Sequence, residues 1–240
     1  MECIAREVAE LRRLLREYSV WKLNQPGNDV DALRDDFGTV DDGWVLERFR
    51  LLDKANRVKR DRGLGIPPRV FTGRSAAGQD LVVVVHHFGS RALAFPSGIV
   101  IVQGFRKELG TYVFAAETGD SIYGILREDQ AALLDAPVPG EMWLLLAGNV
   151  AGFMGHLGRA RIYAFDGYAF RETWTPEDRE LLTLTVTGSE IRSTFLAPGS
   201  YRPGGDIRNC MDETVKLLPI GGVLSKQINH GECGDPGKSR

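Results

Sequence analysis

The clearest alternation of apolar and polar side chains lies in residues 181–196, on either side of Gly188-Ser189. Glycine in the first central position suits a type II′ turn, which joins two antiparallel strands. Counting outward predicts one apolar face, Val186/Ile191, Leu184/Ser193 and Leu182/Phe195, and one polar face, Thr187/Glu190, Thr185/Arg192 and Thr183/Thr194. A slip of one residue would move the apolar set into water, so this register is strongly specified.

A second hairpin is predicted just before it, around Asp166-Gly167, a dipeptide that suits a type I′ turn. This turn would place four pairs on one face: Phe165/Tyr168, Tyr163/Phe170, Arg161/Glu172 and Arg159/Trp174. Such aromatic and opposite-charge neighbours stabilise paired strands. With a turn at residues 175–178 between the hairpins, the pattern predicts a four-stranded antiparallel meander over residues 159–196.

Elsewhere the period changes from two to that of a helix. Ile4, Val8, Leu11, Leu15 and Tyr18 form a seam that predicts a helix over residues 2–22. Apolar runs predict strands at 69–72, 81–88, 98–105, 111–116 and 142–147, with a last pair at 214–218 and 223–227. The unbroken run 81–85 is typical of a central strand that is covered on both faces. A short helix is expected within 120–135, and glycine-rich loops at 148–158 and 197–206.

These elements predict a mainly β fold, with α+β as the second choice. We expect an antiparallel meander sheet or sandwich of consecutive hairpins, with an N-terminal amphipathic helix. The Gly and Pro content of residues 63–68 marks a boundary. It divides the chain into a helical and charged segment, 1–62, an antiparallel β domain, 63–228, and a disordered tail, 229–240.

Composition narrows the class of protein without identifying a function. The 240 residues carry a net charge of −2, with 43% hydrophobic and 26% charged residues, as in ordinary globular proteins. The near-neutral balance gives no field that would attract nucleic acid or an anionic membrane. Cys3, Cys210 and Cys233 are too few for a disulfide framework, although a Cys210–Cys233 bridge stays open. No apolar run is long enough to span a bilayer, and we expect a cytoplasmic protein without a membrane anchor.

Two charged segments and three motifs were tested for chemistry, and none fits. The acidic residues 28–43 lack the spacing of a calcium loop, and the basic residues 44–62 accompany no nucleic-acid-binding signature. Residues 73–77 end in Ala77 where a nucleophile elbow needs Gly, and the glycines of 148–158 match no phosphate-binding motif. Residues 163–167, with Trp174 downstream, resemble a strand pair of a β-propeller blade. The pattern occurs once, however, whereas a propeller repeats it at a fixed period.

The candidate site lies at the end of the most apolar strand, where His86 and His87 precede a turn. Adjacent strand residues face opposite ways, so we expect only one imidazole to line a cavity and the pair to bind no metal together. Glu117 and Asp120, at another strand end, are the acidic residues that would complete a catalytic site.

Three hypotheses for function follow from these observations. The leading one is a non-catalytic binding or accessory protein, because no catalytic motif fits. The second is a hydrolase with its site at His86 or His87, and the third is a structural protein that forms a homodimer through residues 4–18. No cofactor and no metal are expected in any of them.

Overall fold

A computed structural model describes residues 2–27, 66–88, 99–120, 131–152, 155–174, 181–187, 190–196, 209–217 and 223–232. They form one helix, α1 (Glu2–Leu23), and twelve strands. The first six strands are β1 (Ile66–Arg74), β2 (Asp80–Phe88), β3 (Ile99–Glu108), β4 (Thr111–Asp120), β5 (Ala131–Leu134) and β6 (Met142–Gly152). The others are β7 (Gly155–Phe165), β8 (Phe170–Trp174), β9 (Leu181–Thr187), β10 (Glu190–Leu196), β11 (Asn209–Leu217) and β12 (Val223–Glu232).

The strands form three antiparallel sheets, each built from four strands that are consecutive in the chain. Sheet A has the order β1-β2-β3-β4, sheet B has β5-β6-β7-β8, and sheet C has β12-β11-β10-β9. The mainly β fold of consecutive hairpins with an N-terminal helix is therefore confirmed. The blade-like pattern of residues 163–167 with Trp174 occurs once in the sequence. The four-stranded antiparallel meander, in contrast, occurs three times among the described strands.

The sheets stack face to face, with sheet B in the middle. One face of sheet B packs on sheet A through a core of Leu81, Val83, Val85, Val100, Val102, Ala131, Met142, Leu144, Leu146, Tyr163 and Phe165. Its other face packs on sheet C, where Ile191, Phe195 and Val215 meet Trp143, Ile162 and Trp174. Both faces of β6 are therefore buried over residues 142–147, which explains this unbroken apolar run.

Helix α1 covers the outer face of sheet A. Tyr18 and Leu23 pack there against Val82, Val84 and Phe105. Strand β2 thus lies between α1 and sheet B, which confirms that residues 81–85 form a covered central strand. In the described part of the chain, no helix is long and apolar enough to cross a membrane.

The hairpin predicted around Asp166-Gly167 forms, but not in the predicted register. Phe165 pairs with Phe170 rather than Tyr168, so the loop has four residues. The Asp166 carboxylate accepts hydrogen bonds from the backbone amides of Tyr168 and Ala169, at 2.7 and 2.8 Å, and closes this longer loop. A bulge at Ile162/Tyr163 then places Trp174 opposite Ile162. Trp174 therefore enters the core between sheets B and C instead of the aromatic face.

The hairpin predicted in residues 181–196 has the predicted register over most of its length. Five of the six expected pairs are present, from Glu190/Thr187 to Thr194/Thr183, and a bulge then pairs Phe195 with Leu181 rather than Leu182. The turn at 188–189 lies outside the described residues. The continuous meander 159–196 is wrong, because β8 is an edge strand of sheet B and β9 is an edge strand of sheet C.

Three local predictions also need correction. Residues 148–152 and 155–158 continue β6 and β7 as paired strands instead of forming a loop. Residues 131–134, expected in a helix, form strand β5. Residues 229–232, assigned to the tail, belong to β12, where Asn229 pairs with Met211 and Glu232 pairs with Asn209. The loop expected at 197–206, the two charged segments and the rest of the tail lie outside the described residues.

Candidate functional site

His86 lies on the face of sheet A that α1 covers. It pairs with Ile101 of β3 and follows Val82 and Val84 at strand spacing, so all three share the outer face. Only 4% of the residue is exposed. The predicted histidine is thus placed under the helix, inside the contact between α1 and sheet A.

Two further buried polar residues meet His86 there. Ser19 of α1 and Gln103 of β3 are both fully buried. The Ser19 hydroxyl oxygen lies 3.4 Å from His86 Nε2 and 3.2 Å from Gln103 Oε1. Because buried polar groups are costly without partners, these three side chains satisfy one another where helix and sheet meet.

The orientation of the Gln103 amide is fixed by an anion. Its Nε2 donates to Glu117 Oε2 at 2.9 Å and to the carbonyl of Arg12 at 3.3 Å. Turning the amide over would place its oxygen against the carboxylate of Glu117, which has no proton to donate. Gln103 Oε1 therefore faces Ser19 and acts as an acceptor.

The orientation of the Gln103 amide determines the direction of donation along the series of hydrogen bonds. The Ser19 hydroxyl has a single proton, and it donates this proton to Gln103 Oε1. Ser19 then has only lone pairs for His86, so the imidazole carries its proton on Nε2 and donates it to Ser19. Donation runs from His86 to Ser19, to Gln103 and finally to Glu117.

The series of hydrogen bonds ends at an ion pair at the edge of the helix. Arg12 of α1 lies 3.5 Å from Glu117, whose side chain is 15% exposed. The carboxylate therefore accepts from Gln103 and faces the Arg12 guanidinium at the same time. We call these five residues, Arg12, Ser19, His86, Gln103 and Glu117, the interface network.

Burial makes the His86 imidazole a poor base. It lowers the pKa from 6.5 to about 4, and a hydrogen bond with Gln103 raises it by a smaller amount. Desolvation favours the neutral ring because a buried cation loses its hydration. His86 is therefore neutral at physiological pH.

Three other contacts hold α1 along the edge strand β4. Asn24 donates to the carbonyl of Tyr112 and accepts from its amide, each at 2.8 Å, so its side chain pairs with the strand edge. The guanidinium of Arg16 lies 4.8 Å from the ring centre of Phe114. Together with the Arg12–Glu117 pair, these contacts align residues 12–24 with residues 117–112 of β4. The helix and the strand therefore run in opposite directions.

The structure brings together two of the four predicted site residues. His86 and Glu117 belong to one network, but Gln103 separates them. His87 and Asp120 contribute backbone pairs to sheet A, with Val100 in both cases, and their side chains lie outside the described part of the chain. No metal-ligand cluster of three His, Cys, Asp or Glu occurs among the described residues.

Sequence reasoning missed Ser19 and Gln103. Each had a local signal: Gln103 is the one amide in the apolar strand 99–105, and Ser19 interrupts the apolar side of α1. A lone polar residue at a buried position needs a partner, but the partner comes from the fold.

The expected dimer seam of α1 is partly occupied within the chain. Leu15 and Tyr18 are both buried, and Tyr18 packs on sheet A. They are not available to a second copy while α1 is docked. The side chains of Ile4, Val8 and Leu11 lie outside the described part.

Comparison with known proteins identifies no relative. No protein-family model, no curated protein and no solved structure matches this chain.

Proposed function

We propose that this chain is a non-catalytic binding or accessory protein, and that the interface network attaches α1 to sheet A. The observation that carries the proposal is the direction of donation in that network. Ser19 donates to Gln103 Oε1 rather than to His86, so its hydroxyl offers the imidazole only lone pairs.

A serine nucleophile requires the opposite arrangement. Its hydroxyl must donate to the imidazole, which accepts the proton during attack, and a carboxylate or amide must hold the other ring nitrogen. In this chain the carboxylate of Glu117 is held by Gln103 and Arg12, not by His86. The hydroxyl is also fully buried, whereas a nucleophile must reach a substrate.

Activity-based labelling tests the proposal. The folded protein is incubated with a fluorophosphonate, which labels activated serines, and assayed with p-nitrophenyl esters of several chain lengths. We expect no labelling at Ser19, and ester hydrolysis unchanged by Ser19→Ala. Labelling of Ser19 that disappears in His86→Gln would establish the hydrolase hypothesis instead.

The same variants have a second readout that a structural role predicts. Ser19→Ala removes the acceptor of His86 and the donor to Gln103, so it should lower the free energy of unfolding by about 1–3 kcal/mol. Thr185→Ala, an exposed position on sheet C, is the control and should change stability by less than about 0.5 kcal/mol. Equal stability of the two variants would contradict the structural role of the network.

A further inference from the structure

Four hairpin tips of sheets A and B meet at one end of the molecule. They comprise residues 74–80, 106–111, 135–141 and 166–171, which we call the hairpin-tip surface. A side chain at Gly140 would overlap the backbone of Ala76, so two of the tips touch. Arg106 joins the other two by donating to the carbonyl of Gly167 at 3.2 Å.

This surface carries two of the three large hydrophobic residues that are exposed in the described part of the chain. Leu109 is 107% exposed and Tyr168 is 61% exposed, while the third, Leu133, lies in β5. Smaller exposed residues accompany them: Ala76, Ala77, Ala136, Pro139 and Ala169. Tyrosine is among the residue types that contribute most to binding at protein interfaces.

Leu109 adopts a backbone conformation that leucine rarely adopts. Its φ is 48°, and Gly110 follows with φ 85°, as a two-residue hairpin turn requires. Asparagine or glycine would adopt this conformation at lower cost than leucine. Folding therefore gives no reason for a leucine here, and an intermolecular contact does.

Tyr168 is held in place before any partner arrives. The Asp166 carboxylate accepts from the amides of Tyr168 and Ala169, and the Arg106 guanidinium lies 4.4 Å from the ring centre of Tyr168. Arg106 is in turn fixed by Glu108 at 2.6 Å. A side chain that is already ordered loses little entropy when it binds.

The two halves of the hairpin-tip surface carry opposite charge. On sheet A, Arg74 and Lys107 share the single carboxylate of Asp80, at 3.4 and 3.8 Å, and the Arg106–Glu108 pair is neutral. That half is net positive, with three basic groups against two acidic ones.

The sheet B half has the reverse balance. Arg171 pairs with Glu141 at 3.0 Å, and the carboxylates of Asp135 and Asp166 are exposed. That half is net negative, with three acidic groups against one basic group. The surface therefore has no single sign that would select a nucleic acid or an anionic membrane.

We propose that the hairpin-tip surface binds a second copy of this chain, end to end, around a twofold axis between the two halves. The axis places the sheet A tips of one copy on the sheet B tips of the other. Leu109 then contacts Tyr168 of the partner subunit, and the positive half faces the negative half twice. A twofold contact must be complementary to itself, and this division of charge meets that requirement.

Sedimentation velocity and light scattering of the full chain test the proposal. The mass should rise with concentration from 26.5 kDa toward twice that value, and added salt should weaken the association. Leu109→Asn should raise the dissociation constant about tenfold or more, whereas Leu133→Thr should leave it unchanged. A monomer up to millimolar concentration, or a dimer unaffected by Leu109→Asn, would overturn the proposal.

Charge exchange tests the twofold arrangement. Lys107→Glu makes the sheet A half net negative, so that it faces another negative half, and Asp135→Lys removes the net charge of the sheet B half. Each variant should therefore weaken the dimer, and in neither should added salt weaken the association as it does in the parent chain. The double variant places a neutral sheet B half against a negative sheet A half, so it should lose less affinity than the two single losses combined. If the two single losses simply add, the proposed apposition of the halves is wrong.

Leu109→Asn also separates association from folding, because asparagine tolerates the left-handed conformation. Its melting temperature should equal or exceed that of the parent chain. Lost association with unchanged or higher stability supports the proposal. Lost association in a variant that has unfolded would be resolved by Tyr168→Ser, which leaves the Leu109 turn intact and should weaken the dimer to a similar extent.

Discussion

At the scale of single residues, His86 shows how burial decides the role of a reactive group. Its ring lies against Ser19 and Gln103, both neutral, and the nearest carboxylate of the network is engaged by Gln103 and Arg12. A proton added to the ring would create a cation in a desolvated site. The imidazole therefore stabilises the interface only while it is neutral.

This environment predicts a pH dependence of stability. The pKa of His86 is lowered from 6.5 to about 4, chiefly by burial, so between these values the unfolded chain binds a proton that the folded chain does not. The free energy of unfolding should then fall as the pH drops from 6.5 to 4, by about 3 kcal/mol from this residue. Urea titrations across that range measure it.

The matched variant for this measurement is His86→Gln, which keeps a polar side chain without a titrating ring. Other acidic groups also titrate below pH 5, so the informative quantity is the difference between the two proteins. The difference in free energy of unfolding between the parent chain and the variant should be constant above pH 7. It should change by about 3 kcal/mol in favour of the variant as the pH falls to 4. Parallel curves would mean that His86 is not held neutral.

A second residue-scale prediction concerns the two faces of β10. Phe195 is fully buried in the core between sheets B and C, whereas Thr194 faces outward and donates to Asp212 at 2.8 Å. Phe195→Ala should lower the free energy of unfolding by about 3–5 kcal/mol, through lost burial and an unfilled cavity. Thr194→Ala should cost about 1 kcal/mol. Denaturant titrations with equal losses would contradict this assignment of faces.

At the scale of elements, α1 is attached to sheet A by polar contacts at both ends of residues 12–24, which comprise the C-terminal half of α1 and the residue that follows it. Arg12 and Glu117 lie at one end, and Asn24 and Tyr112 at the other. The span from residue 12 to 24 is about 18 Å of helix, close to the length of β4 between its two contact residues. Matching lengths allow both contacts to form at once.

Asn24 gives a test of that attachment. Its side chain bonds both backbone groups of Tyr112, which β4 as an edge strand would otherwise leave without a strand partner on that side. Asn24→Ala should therefore lower the free energy of unfolding by about 1–3 kcal/mol. Gln25→Ala is the control. The Gln25 side chain donates to the helix carbonyl of Trp21, at 3.1 Å, and contacts no strand edge among the described residues, so its loss should cost less than about 1 kcal/mol. Thermal unfolding of the two variants decides the point.

Strand positions and the register of the β9–β10 hairpin were predictable because one face of that hairpin is apolar. The β7–β8 hairpin was less predictable because β7 is buried on both faces from Ala160 to Phe165, except at Arg161, so alternation does not set its register. Asp166-Gly167 suits a two-residue turn, yet the Asp166 carboxylate stabilises a four-residue loop through two amides. The bulge at Ile162/Tyr163 then moves Trp174 to the opposite face.

The candidate site was predictable only in part, for a related reason. His86 and Glu117 are visible as polar residues at strand positions, but their common partner Gln103 depends on which strands pair. Ser19 depends on where α1 docks, about seventy residues away in the chain. Local pattern identifies residues that need a partner and leaves the partner to tertiary structure.

At the scale of the whole molecule, the stack of three sheets is closed differently at its two ends. Helix α1 covers the outer face of sheet A. The outer face of sheet C presents exposed polar and charged residues, among them Thr185, Thr187, Arg192 and Lys216. Among the described residues, neither end of the stack offers an apolar sheet face to a further sheet.

The spacing of the layers depends on small residues. Gly104 of β3 faces sheet B, where a Cβ atom at this position would lie 2.5 Å from the ring of Phe165. Phe165 is fully buried and stacks on Phe170 with 4.6 Å between ring centres, so its ring has little room to move. The absence of a side chain at residue 104 is what lets sheets A and B approach here.

Gly104→Ala should therefore lower the free energy of unfolding by about 1–3 kcal/mol, through overpacking between two rigid layers. Gly73→Ala is the matched control: its Cβ would meet the Met142 side chain, which is flexible and can move aside at lower cost. In a Phe165→Leu background the loss caused by Gly104→Ala should shrink by about 1 kcal/mol or more, because the two residues share one contact. Denaturant titrations of this double-mutant cycle measure the coupling. Strict additivity would mean that the ring of Phe165 does not limit the approach of sheet A to sheet B.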